Sequence, residues 1–169
     1  MTRSHLPPPD PRLDLVLERV VDVPVARVFA AWTVPDQVRQ WFTPAPWTTV
    51  ACEIDLVPGG IFRTVMRSPE GQEYENLGCW LEVLRDERLI WTNVFEPGYR
   101  PTRQVPGKHC VEFPFTAVVA MASHGGGTRY TARVIHGTEE GRRSHEEMGF
   151  HDGWGAALDQ MVAMIKRNP

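Results

Sequence analysis

The sequence predicts an α+β domain in which one long C-terminal helix is gripped by a curved antiparallel sheet. Two observations carry that prediction. Over 144–167, Phe150, Trp154, Ala157, Leu158, Met161 and Ile165 recur at helical spacing on one stripe, while Asp152, Ala156, Asp159 and Ala163 take the other side. Upstream, six consecutive segments alternate apolar and polar residues with the period of a strand, separated by turn signals.

Taken in order, 1–12 (MTRSHLPPPDPR) is proline-dense and without apolar periodicity, and reads as a flexible arm ahead of a single domain over 13–169. Leu15, Leu17 and Val21 share one face of a first strand over 13–21. Arg19 falls on that same apolar face, where a paired or snorkelling arginine is expected. Pro24 suits the first turn of a short helix, and Val25, Val28, Phe29 and Trp32 follow at i, i+3, i+4 and i+7. Thr33 with Asp36 three residues later restarts a second short helix, which Trp41 and Phe42 anchor and Pro44 and Pro46 end.

The six strand-like segments are 48–57, 61–67, 73–84, 88–95, 110–122 and 128–135. In the first, Val50, Cys52, Ile54 and Leu56 face in, with Thr49, Glu53 and Asp55 out. Pro58-Gly59-Gly60, Ser68-Pro69-Glu70-Gly71 and Gly125-Gly126-Gly127 make turns. Pro114 has no N–H for a ladder, so the fifth segment starts late, bulges or lies at an edge there. The connection over 97–108, with Arg100, Arg103 and Lys108, is a candidate lid. Ser144 and Glu147 have capping-box spacing for the start of the last helix, and Lys166 and Arg167 suit its end. The element order is β-α-α-β-β-β-β-β-β-α.

Composition excludes several classes. A net charge of −3 gives no basic footprint for nucleic acid, and no apolar run is long enough to span a bilayer. Cys52, Cys79 and Cys110 are far apart, show no CxxC spacing, and fit buried thiols of a reduced, cytoplasmic chain. There is no G-x-S-x-G and no phosphate-cradling glycine loop ahead of a helix. His145, Glu147 and His151 lack the H-E-x-x-H pattern, so no metal and no cofactor are expected.

The segments AAWTVPDQVRQWFTP, LVPGGIFRTVMRSPEGQEYENLG, WLEVLRDERLIWT, GGGTRYTARV and MGFHDGWGAALDQM, in that order, resemble the bacterial relatives of the activator of Hsp90 ATPase, within the START-like superfamily. The resemblance covers Leu13 to Ile165. It implies a helix-grip fold, a seven-stranded antiparallel sheet curled around the last helix with a cavity between them. It also implies a choice of functions, since the superfamily includes ligand carriers, a few cyclases and hydrolases, and a chaperone activator. No shared catalytic set comes with it.

A mostly apolar pocket with a few polar groups is the usual form of a small-molecule site. The residues expected to build one are Trp91, Asn93 and Phe95 on one strand, Phe113 and Phe115 on another, Tyr130 and His136 on a third, and His151, Trp154 and Gly155 on the helix. Gly149, Gly153 and Gly155 are costly in a helix and mark either close packing or space left for a ligand. Binding of a small apolar or amphipathic molecule is the leading reading. A cyclase- or hydrolase-like enzyme using the same cavity and a chaperone-interacting domain are the alternatives, and a homodimer is left open.

Overall fold

The computed structural model describes residues 3–103 and 113–169. Its main sheet is fully antiparallel, with seven strands in the order β1-β9-β8-β5-β4-β3-β2. These are β1 (Asp14–Val21), β2 (Thr48–Ile54), β3 (Ile61–Arg67), β4 (Glu73–Leu84), β5 (Arg88–Thr92), β8 (Phe115–His124) and β9 (Gly127–His136). A two-residue pair, β6 (Phe95–Glu96) with β7 (Arg100–Pro101), forms a separate small ribbon inside the connection between β5 and β8. Among the described residues four helices accompany the sheet: α1 (Val25–Thr33), α2 (Pro35–Trp41), α3 (Glu139–Glu147) and α4 (Phe150–Arg167).

Strand pairing brings inward side chains into rows across the sheet. Trp80, Trp91, Ala117, Val134 and Leu15 form one such row, and Phe115 with His136 begins another. These positions alternate in sequence because the pleat has period two, and together they bury the stripe of α4. β8 starts immediately after Pro114, as the missing N–H requires.

Three local expectations are corrected. A bulge between Thr49 and Ala51 reverses the alternation in β2, so Thr49 is buried and its hydroxyl meets that of Thr43 at 2.5 Å. α2 is capped by Val34 with Pro35 in its first turn, while Thr33 ends α1 and its hydroxyl donates to the Phe29 carbonyl. The segment over 144–167 is not one helix. Gly149 adopts φ +91°, a left-handed conformation that breaks the helical path, and Ser144 lies inside α3, whose N-cap is Thr138.

The arm lies along the outer face of the sheet. Arg88 donates to the Ser4 carbonyl, Glu82 accepts from the Ser4 N–H at 2.6 Å, and Arg133 donates to the carbonyls of Pro7 and Pro8. Arg88 and Arg133 are also paired with Glu82 and Asp14 on that face, at 2.5 and 2.7 Å. Half-buried Leu6 falls between these anchors. Ile90 and Val118, neighbours in register on the outward side, are only 4% and 5% exposed. The arm is thus the cover of a small apolar row on the outside of the sheet.

A cavity between the sheet and the last helix

Six aromatic residues from α1, the end of α2, β3, β5 and β8 meet around one space. Trp32 and Trp41 pack edge to face with ring centroids 4.9 Å apart. Phe42 then meets Phe62 at 5.7 Å, Phe62 meets Trp91 at 5.0 Å, and Trp91 meets Phe115 at 5.3 Å. With Tyr130, Phe150 and Trp154 they line a cavity of about 420 Å³ between the sheet and the first half of α4. Thr64, Asn76, Asn93, Glu96, Thr102 and Arg103 add polar edges.

The three glycines around the start of α4 have three different roles. Gly149 supplies the left-handed turn between α3 and α4. A Cβ on Gly153 would meet nothing within 4 Å, and Gly153 lines the cavity, so its missing side chain is open space. A Cβ on Gly155 would sit 2.5 Å from Nη2 of Arg19, whose Nη1 continues to Asp159 at 2.6 Å. Gly155 is therefore a crossing point for a paired arginine and does not line the cavity, contrary to its expected place there.

The most constrained polar group of the wall is one that residue-by-residue reading of the sequence does not single out. His145 of α3 lines the cavity, is 6% exposed, and is ringed by Phe113, Phe115, Phe150 and Trp154. Its Nδ1 is 2.9 Å from Nε2 of His136, whose Nδ1 is 2.9 Å from the Leu13 carbonyl. Burial, with a smaller contribution from His136, pushes the pKa of His145 down to about 4. Burial also lowers that of His136, against the opposing effects of its contact with Leu13 and the charge of Asp14, while Arg142 lowers it further. Both rings are thus neutral near pH 7.

The other expected positions divide. Trp91, Asn93, Phe115, Tyr130 and Trp154 line the cavity. Asn93 is already engaged, its amide donating to the Phe113 carbonyl and accepting from the Phe115 N–H. The Tyr130 hydroxyl accepts from Trp32 Nε1 at 3.2 Å, and burial raises its pKa. His136 and Phe113 stand behind the lining, in contact with His145. Phe95 lies in β6, outside the lining, and His151 is exposed against Phe150. Of the candidate lid, Arg103 lines the cavity and Arg100 is exposed in β7, whereas Lys108, like Cys110, lies outside the described residues. Buried Trp91 Nε1 and Asn76 Nδ2 have no hydrogen-bond partner among the described residues. No group of three metal-ligating side chains occurs among the described residues, and no helix there is long and apolar enough to cross a membrane.

Comparison with solved structures gives the same architecture. A Nitrosomonas europaea protein is 44% identical, with TM-score 0.86, over 94% of this chain and 97% of that one. A Rhodobacter sphaeroides protein at 19% identity shares the fold with TM-score 0.78, over 95% of this chain and 97% of that one. A Mycobacterium smegmatis protein at 22% identity does so with TM-score 0.72, over 90% of each chain. No curated protein matches. The family model described as activator of Hsp90 ATPase homolog 1-like protein matches residues 22–166. With its helix-grip architecture, the chain belongs to the activator of Hsp90 ATPase homolog 1-like family.

Proposed function

We propose that the protein binds a small apolar or amphipathic molecule in the cavity between the sheet and α4. The observation that carries this reading is the unfilled, aromatic-lined space of about 420 Å³ in front of Gly153. Protein interiors are close-packed, and large apolar voids cost stability through the contacts their walls forgo. A space of this size and lining matches a small-molecule site, with aromatic faces for the body of the ligand and a few polar groups to orient it. Among the described residues no serine, threonine or cysteine side chain hydrogen-bonds a histidine, so binding is favoured over nucleophilic chemistry.

The family description also suggests a chaperone partner. That reading calls for an exposed apolar docking face, and the outward row of Ile90 and Val118 is covered by the arm. Native mass spectrometry of protein purified without organic solvent tests the binding proposal, together with titration by an apolar fluorescent probe. A co-purifying small molecule, or saturable probe binding that Gly153→Leu abolishes in a folded protein, is the expected result. Absence of both overturns it.

A further inference from the structure

The cavity has a hydrogen-bonding polarity, and the chain of contacts behind it fixes which way it points. A backbone carbonyl can only accept, so the Leu13 carbonyl places a proton on Nδ1 of His136. In a neutral ring the other nitrogen is then an acceptor, so Nε2 of His136 must receive the proton carried by Nδ1 of His145. That leaves Nε2 of His145 with an unshared electron pair. It has no partner among the described residues, on a side chain 6% exposed that lines the cavity. An acceptor on the wall of a cavity is open to a donor that a ligand brings.

We propose that His145 Nε2 is the anchor of the site and accepts a hydrogen bond from a hydroxyl on the ligand, which makes the ligand class flat aromatic alcohols and phenols. The inference rests on the binding reading above. Phe115, Phe150 and Trp154 surround the imidazole and offer the ring faces on which such a molecule lies. His136 is a positioning residue: it does not line the cavity and acts by holding the tautomer of His145. A carbonyl or ether oxygen at this point would face lone pair against lone pair and be disfavoured.

The test compares 2-naphthol with 2-methoxynaphthalene, the same ring system with and without the hydroxyl proton, in competition against a bound apolar fluorophore at pH 7. Wild type is expected to bind the naphthol about 5–10-fold more tightly, the size of one net hydrogen bond. His145→Phe is expected to bring the ratio to about one. Equal binding of the two compounds to wild type overturns the hydroxyl recognition and leaves the cavity reading standing. If neither binds, the cavity reading falls and this inference with it. A measurement on the wild-type protein needs no variant to fold: ¹⁵N spectra of its histidines should show His145 protonated at Nδ1 and bare at Nε2. A proton found on Nε2 of His145 in the free protein at pH 7 overturns the proposal.

Discussion

Arg19 and Gly155 occupy one crossing. The guanidinium of Arg19 passes over α4 where Gly155 has no side chain, with Nη2 standing 2.5 Å from where a Cβ would be, and ends on Asp159. An arginine on the apolar face of β1 is thereby carried to solvent, its stem packed and its charge paired.

The crossing predicts a coupling. Gly155→Ala gains roughly 1 kcal/mol of helix propensity but displaces a surface ion pair of comparable worth, so it should be near neutral. In an Arg19→Ala background the same change should gain the full amount. Urea melts of the four proteins in the cycle check this, and additive effects would mean that the two residues do not meet.

Gly153 should behave differently because it faces open space. Gly153→Ala is expected to stabilise by up to about 1 kcal/mol in either Arg19 background. Gly153→Leu should retain the fold and exclude the apolar probe. A Gly153→Leu protein that binds the probe as wild type does would place the ligand elsewhere.

The anchors of the core are Trp32 and Trp80, both fully buried, and not Trp154, which is half-buried in the cavity wall. Trp32→Ala should cost about 3–5 kcal/mol, the range for a large core truncation, and also removes the donor to Tyr130. Trp154→Ala should cost clearly less, because part of its ring already borders empty space. Equal losses in chemical denaturation would contradict the assignment.

The buried histidine pair ties stability to pH. For His145 the pKa falls from 6.5 to about 4 on folding, so the unfolded chain binds more protons between these values. Its contribution is therefore present above pH 6.5 and lost as the pH falls toward 4, at most by about 3 kcal/mol. Lowered His136 adds in the same direction. The slope of unfolding free energy over this window should be shallower in His145→Phe than in wild type. Identical slopes would show that His145 titrates normally.

Much of the fold is legible from local pattern. Alternation at Trp80, Trp91 and Tyr130, the proline before β8 and the helical stripe ending at Ile165 are each enforced by neighbours in sequence. The site is less so. His145 stays hidden because a helical stripe runs smoothly through Gly149, and only its left-handed backbone turns α3 so that His145 meets His136. Gly153 and Gly155 look alike in sequence, and what stands opposite each is decided by β1 and the sheet. The docked arm leaves no residue signature, since its acceptors are backbone carbonyls that every residue carries.

That arm has a kinetic consequence. Its contacts with Glu82 and Arg133 span 78 and 126 residues, so they close long loops and require β4, β5 and β9 already in register. Interactions with such closure costs form after the rate-limiting step, and what forms late governs how fast the native state is left. Removing residues 1–9 should therefore leave the refolding limb of a chevron unchanged and raise the unfolding limb, about tenfold for each 1.4 kcal/mol lost. A slowed refolding limb would instead place the arm in the folding nucleus. In its expected role the arm is a latch on lifetime: it sets how long the assembled sheet persists, while the speed of assembly is decided elsewhere.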